Sequence, residues 1–275
     1  MKTAKTKICL IIGDPVDHSL SPLMHNTAYE AVGLGENFVY LAFSVPVAKM
    51  KSVIDAVRTF GIRGLTCTVP HKVAVIPFLD EIDPVAQKIG AVNSVVNTDG
   101  VLKGFNTDWL GAIAPLKNRI SLNQKKVLVI GAGGAARAVV FGLLKENAKV
   151  TLINRTTEKA LELAHEFSCY YKKCVDSSLI AEQDVIINTT SVGMSPNTSK
   201  SPISVEGIHK GQILMDIVYS PFETELLKHG KKRGATIIYG TEMLLYQGAA
   251  QFELYTGVRA PIKIMEKTLL STIRI

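Results

Sequence analysis

A chain of 275 residues, 47% hydrophobic and 20% charged, is long enough for one large or two modest domains with an ample core and is ordinary for a globular enzyme. Its formal net charge of +7 suits anionic small molecules through general steering. Nucleic acid is disfavoured, because the one dense basic run, Lys228-His229-Gly230-Lys231-Lys232-Arg233, has no interleaved aromatic residues and sits at the end of an expected helix.

Cys9, Cys67, Cys169 and Cys174 form no C-x-x-C pair and read as scattered reduced thiols. Cys67 and His71 alone make no zinc site, so no metal is expected. The longest nearly uncharged apolar stretch, Val127 to Leu144, holds four glycines and Arg137, which argues against a membrane span. ICLII at residues 8–12 is too short for a signal-peptide core, and the cytoplasm is the expected compartment.

In chain order, Lys7 to Ile12 reads as a buried strand, Pro22 to Val32 as a helix and Phe38 to Ser44 as a strand. Val47 to Phe60 carries apolar residues at helical spacing, and Gly64 to Val69 is the next strand. After a helix over Pro84 to Ile89, Ala91 to Asn97 and Val101 to Phe105 form a hairpin across Thr98-Asp99-Gly100. Trp109 to Asn118 is an expected helix. Later strands fall near Asp184 to Asn188, Ile213 to Val218 and Ala235 to Tyr239, and the chain from Met243 is helical.

Between these halves lies KVLVIGAGGAARA, residues 126–138. Val127 to Ile130 is an unbroken aliphatic strand, suited to burial on both faces. Gly131, Gly133 and Ala136 give the G-x-G-x-x-A spacing of a dinucleotide turn, with helix N–H groups facing a pyrophosphate. A strand over Lys149 to Ile153 follows and ends not in a carboxylate but in Asn154-Arg155-Thr156. A guanidinium there pairs with a 2′-phosphate, which predicts NADP(H); Thr156 also reads as the cap of the helix TTEKALELAHEF.

Three groups in the first domain could carry chemistry. Ser19 and Ser21, two apart in an extended segment, turn their hydroxyls to one side, with Ser21-Pro22 as a helix start. Their readings are capping alone or a held carboxylate. Lys72 follows the strand that ends at Val69-Pro70, with Thr66 and Thr68 on one face. Asp108, in Asn106-Thr107-Asp108, either caps a helix or faces Lys72, and Asn93 in the hairpin could add an amide.

GDPVDHSLSPLMHN (13–26), GLTCTVPHK (64–72), GAVNSV (90–95), GFNTDWLGA (104–112), GAGGAARA (131–138), NRT (154–156), NTTSVGM (188–194), DIVYSP (216–221) and GTEMLLYQGAAQFELYTG (240–257) appear in this order. Together they resemble the shikimate dehydrogenase family from end to end. The resemblance implies an α/β fold of two domains: an N-terminal αβ substrate domain, 1–108 plus 243–275, and a Rossmann-type doubly wound NADP domain, 109–242. The C-terminal helices then return to the first domain.

It also implies NADPH-dependent, reversible reduction of 3-dehydroshikimate to shikimate, on the route to chorismate and the aromatic amino acids. The serine pair Ser19 and Ser21 would hold the substrate carboxylate, with Thr68, Asn93, Tyr219 and Gln247 as further contacts and Lys72 and Asp108 as the catalytic pair. Gly131, Ala132, Gly133, Gly134, Ala135, Asn154, Arg155, Thr156, Thr157, Glu158, Lys159, Ile217 and Gly240 would face NADP. The implied protein is a monofunctional monomer or homodimer acting on a small molecule.

Three residues depart from the family's pattern: Thr66 where many members carry asparagine, Gly248 where alanine is usual, and Tyr255 where tryptophan is common. The alternatives are a quinate/shikimate dehydrogenase and a non-catalytic NADP-binding regulator.

Overall fold

The protein is described by a computed structural model over residues 1–273. Its chain divides into two compact units, Met1–Thr107 with Gln247–Ile273, and Asp108–Tyr246. The divisions fall after Thr107 and Tyr246, where 108 and 242 were expected. Residues 274 and 275, expected in the first domain, lie outside the described residues.

The first unit opens with β1 (Lys7–Gly13), α1 (Ser21–Ala31) and β2 (Phe38–Ser44). A 3-10 turn at Val47–Lys49 leads into α2 (Met50–Thr59), so the expected helix over 47–60 starts with a tighter turn. β3 (Gly64–Cys67), the single-turn α3 (His71–Ala74), β4 (Glu81–Ile82) and α4 (Pro84–Ile89) follow, and then the hairpin of β5 (Ser94–Thr98) and β6 (Val101–Phe105). Asp99 and Gly100 both take positive φ, 51° and 89°, as a two-residue turn matched to strand twist requires.

These strands form one sheet in the order β2-β1-β3-β5-β6-β4, parallel except where β5 runs against β3 and β6. Strand periodicity sorts its side chains. Leu10, Ile12, Leu65, Cys67 and Val95 pack in one core with Met50, Ile54 and Val57 of α2. On the alternate positions, Tyr40 stacks against His25 of α1 with ring centroids 4.3 Å apart. Burial pushes the His25 imidazole down to about 3, so it is neutral.

The second unit runs α5 (Asp108–Lys117), β7 (Lys126–Ile130), α6 (Gly134–Lys145), β8 (Lys149–Ile153), α7 (Thr157–Phe167), β9 (Tyr170–Tyr171), α8 (Ser177–Ala181), β10 (Val185–Asn188), β11 (Ile213–Asp216), α9 (Glu225–Lys232) and β12 (Thr236–Ile238). α10 (Gly240–Thr256) starts in this unit and ends in the first, to which α11 (Ile262–Ile273) belongs. The sheet order is β9-β8-β7-β10-β11-β12, and every pairing is parallel. That is the doubly wound order of a Rossmann sheet, reversing direction between β7 and β10.

Both faces are covered, as parallel sheets demand. Val127, Val129, Leu152 and Ile187 pack with Val139 and Leu143 of α6, while Leu128, Ile130, Ile186 and Leu214 pack with Ile180, Leu226 and Leu227. Among the described residues no helix is long and apolar enough to cross a membrane. Leu128 is fully buried at the centre of the second sheet. Leu128→Ala is expected to lower unfolding stability by about 2–5 kcal/mol, measured by urea denaturation.

Candidate active site

In the first unit, Ser19, Ser21, Thr68 and Lys72 lie where β1 and β3 give way to α1 and α3. Leu20, with φ −86° and ψ −3°, occupies the N-cap position of α1, so Ser21 is its first residue rather than its cap. The segment is a tight turn and not extended. Ser19 Oγ accepts from the Ser21 backbone N–H at 3.3 Å, so a turn, not strand alternation, relates the two serines.

β3 ends at Cys67, two residues before the expected end, because Thr68 turns the chain into α3: the His71 N–H donates to the Thr68 carbonyl at 2.7 Å. Lys72 lies in that single helical turn. Its backbone carbonyl accepts from Val92 N–H at 2.8 Å, and the buried His71 ring bonds the Val45 carbonyl at 2.8 Å. The ammonium stem is thus carried on a turn tied to two neighbouring segments. Burial pushes the adjacent Cys67 thiol up to about 12, an effect the Lys72 charge opposes. That thiol is no nucleophile.

Asn93 is buried beside the same turn. Its Oδ1 accepts from Thr107 N–H and from the Ser94 hydroxyl, both at 2.8 Å, and its Nδ2 donates to Thr107 Oγ1 at 2.9 Å. A backbone N–H can only donate, so the amide orientation is settled. Asn106 Nδ2 donates to the Ala91 carbonyl at 2.9 Å, which holds the lead-in to α5. Gln247 is buried on α10, in the first unit. Asp108, also buried, and Tyr219 fall in the second unit.

The second unit builds the nucleotide turn. Gly131, at φ 117°, takes a conformation that side chains rarely adopt, and its N–H donates to Ile153 O at 2.8 Å. A Cβ on it would sit 2.5 Å from Thr189 Oγ1, while Gly133 faces open space ahead of α6. No side chain caps α6, which leaves its first N–H groups to a ligand oxygen. Ala132, Gly134 and Ala135 are half-buried along that turn, and Gly240 opens α10, close to the Ile217 carbonyl.

At the end of β8, Asn154 Nδ2 donates to Thr156 O at 2.9 Å, a local turn that presents Arg155 outward. Thr156 does occupy the N-cap of α7, but its side chain makes no cap bond, contrary to its expected capping role. Thr157, Glu158 and Lys159 form the first turn of α7, with Glu158 and Lys159 exposed. The small residues at 131 and 133, the uncapped helix and the arginine in place of a carboxylate fit a phosphorylated dinucleotide. Among the described residues no group of three or more His, Cys, Asp or Glu could hold a metal ion.

The family model for the shikimate dehydrogenase substrate binding domain matches residues 11–95, the shikimate / quinate 5-dehydrogenase model matches 114–218, and the shikimate 5'-dehydrogenase C-terminal domain model matches 240–270. A curated shikimate dehydrogenase (NADP(+)) of Geobacillus kaustophilus is 46% identical over 275 residues, 98% of this chain and 99% of that one. The chain belongs to the shikimate dehydrogenase family. A crystal structure of a shikimate dehydrogenase in complex with NADP+ matches with TM-score 0.93 at 42% identity, over 99% of this chain and 98% of that one. Shikimate 5-dehydrogenase of Thermus thermophilus, in complex with NADP(H) and shikimate, matches with TM-score 0.90 at 37% identity, over 97% of this chain and 99% of that one.

Two of the three departures from the family's usual residues touch: Thr66 Oγ1 lies 2.9 Å from the Tyr255 hydroxyl. Gly248, on the helix that carries Tyr255, has the Met24 methyl against it. Thr66 is therefore a buried partner of aromatic hydroxyls.

The sequence offered no signal for the buried knot behind the nucleotide turn. Asp216, at the end of β11, accepts from Asn188 Nδ2 at 2.9 Å, Val218 N–H at 3.0 Å and Thr224 Oγ1 at 2.8 Å, while Thr189 Oγ1 donates to Ile130 O at 2.6 Å. Burial outweighs those bonds and pushes the Asp216 carboxyl up to about 6 from 3.8. A raised carboxyl value means that the folded chain holds a proton the unfolded chain has lost, so this contribution to stability is full below about pH 4 and vanishes as pH rises through about 6. Asp216→Asn is expected to flatten that part of the stability profile, read as urea unfolding free energy at a series of pH values.

Proposed function

We propose that this chain is an NADP(H)-dependent shikimate dehydrogenase, which reduces 3-dehydroshikimate to shikimate and catalyses the reverse oxidation. The observation that carries the reading is the end-to-end 46% identity to a shikimate dehydrogenase (NADP(+)), joined to a nucleotide unit whose second strand ends in Asn154-Arg155-Thr156. On this reading the enzyme works in the cytoplasm on the way to chorismate, as a monomer or homodimer, without nucleic acid or membrane partners.

The first unit binds the substrate and the second the cofactor. Ser19 and Ser21 donate hydroxyl hydrogens to the substrate carboxylate, with Thr68, Asn93, Tyr219 and Gln247 as further substrate contacts. NADPH supplies the hydride to the ring ketone. Lys72 stabilises the negative charge that develops on the ketone oxygen and gives it a proton, recovering one from solvent afterwards. Asp108 orients the ammonium and accepts from a substrate hydroxyl.

On the cofactor side, the backbone N–H groups of Gly131, Ala132, Gly133, Gly134 and Ala135 cradle the pyrophosphate. Arg155, helped by Asn154, Thr156, Thr157 and Lys159, takes the 2′-phosphate. Glu158 lies in the same helical turn, and Ile217 and Gly240 also face the cofactor.

Oxidation of shikimate followed at the nicotinamide absorbance, with NADP+ and NAD+ in parallel, tests the assignment. Faster turnover with NADP+ is expected, and equal or better turnover with NAD+ would count against it. A parallel quinate arm separates the shikimate reading from the quinate one that the family model's description allows. No NADPH oxidation with 3-dehydroshikimate would favour the non-catalytic regulator.

Lys72→Ala is expected to lower kcat by about 10²–10⁴-fold, the range for a lost general acid, while NADP+ affinity survives. Arg155→Ala is expected to raise the KM for NADP+ by about tenfold or more, the size of a charge-assisted phosphate bond, and to leave that for NAD+ nearly unchanged. Steady-state kinetics with both nucleotides reads both effects.

A further inference from the structure

The loop that joins β1 to α1 carries Ser19, and the end of β2 holds that loop. β1 and β2 are paired to their last residues, with Gly13 beside Ser44. Just past this pair, Val45 N–H donates to the Gly13 carbonyl at 2.9 Å and Asp14 N–H to the Val69 carbonyl at 3.1 Å, so the chain leaves the sheet held on both sides. Among the described residues, the hydrogen bonds that tie residues 15–20 back to the sheet both go to the Ser44 hydroxyl. It accepts from Val16 N–H at 3.1 Å and donates to Asp17 Oδ1 at 3.2 Å.

The roles in this pair of bonds are settled by chemistry. A backbone N–H only donates and a carboxylate only accepts, so Ser44 gives its one proton to Asp17 and its oxygen to Val16. Val16 passes the constraint on, because its carbonyl accepts from Ser19 N–H at 2.9 Å. Ser19 Oγ accepts in turn from Ser21 N–H at 3.3 Å, which leaves the Ser19 proton for another acceptor. Ser44 therefore reaches Ser19 through a single residue, held by both of its backbone groups. A hydroxyl contributes to binding only as far as its supporting shell keeps it in the productive place.

We propose that Ser44 is a positioning residue for Ser19: by holding Val16 and Asp17 it sets the loop so that the Ser19 hydroxyl meets the substrate carboxylate. The inference rests on the reading of Ser19 as a carboxylate contact. Ser44 moves no proton of the reaction, so its effect belongs to substrate binding rather than to hydride transfer.

The test is a set of variants in the full chain, assayed with shikimate and NADP+. Ser44 is exposed at a strand end, so its replacement leaves the core intact. Ser19→Ala establishes the contact and is expected to raise the shikimate KM. Ser44→Ala is expected to raise it by roughly 3–10-fold, the size of one net hydrogen bond, with kcat within about twofold and the NADP+ KM unchanged. Ser44→Thr, which keeps the hydroxyl and suits a strand, is expected to restore the KM of the unaltered protein. Added to Ser19→Ala, Ser44→Ala is expected to cost nothing further, because it acts through Ser19.

An unchanged shikimate KM in Ser44→Ala would overturn the proposal, whether or not the urea midpoint falls; that is what a merely structural serine gives. So would a full Ser44 penalty in the Ser19→Ala background, or a Ser44→Thr protein no better than Ser44→Ala. An unchanged KM in Ser19→Ala removes the contact and the positioning role with it. Failure of the functional reading shows separately, as no shikimate oxidation by the unaltered protein.

Discussion

The side chain of Asn93 is the point on which the first unit turns. Its oxygen takes the Thr107 N–H and the Ser94 hydroxyl, its nitrogen reaches Thr107 Oγ1, and the Val92 N–H beside it holds the Lys72 carbonyl. One two-residue step of backbone thereby secures both the turn that carries Lys72 and the segment that leads to Asp108. Such an amide, buried with its donors and acceptors matched, specifies a single arrangement, since any slip would strand polar groups away from water.

In the second unit the equivalent constraint is steric. The Gly131 turn closes against β8 and against Thr189, and it leaves no room for a Cβ. The strand order reverses at the β7/β10 junction, the place where open α/β sheets bind ligands past the carboxyl ends of their strands, and α6 follows β7 with no side-chain cap. Asn188, Thr189 and Asp216 stiffen the loops that follow β10 and β11. Their polar atoms serve the scaffold.

The long periodic elements were legible in the residues. The aliphatic run of β7, the alternation of β1 and β2 and the Asp99-Gly100 hairpin all follow from local pattern and turn chemistry. The two-residue strands β4 and β9 were not, because a pairing that short has no periodicity to read. The misread details share one cause. Ser21 as a cap, Thr156 as a bonding cap and β3 running to Val69 each assumed that a local preference is used, whereas Leu20 takes the N-cap of α1, Thr156 makes no cap bond and Thr68 turns the chain into α3. Of the candidate site, the G-x-G-x-x-A turn and Arg155 could be read from residue types. The roles of Tyr219 and Gln247 rested on family resemblance.

The sequence by itself determined the class of fold, the nucleotide unit and the chemistry available, because hydrophobic period, glycine spacing and residue type are local properties that survive without neighbours. Only the tertiary structure decided which hydroxyl meets which amide. Thr66 and Tyr255 lie far apart in the chain, and the seat over Gly64 brings their hydroxyls together. Hydrogen bonds of that kind depend on distances of a few tenths of an ångström, which no pattern of residue types encodes.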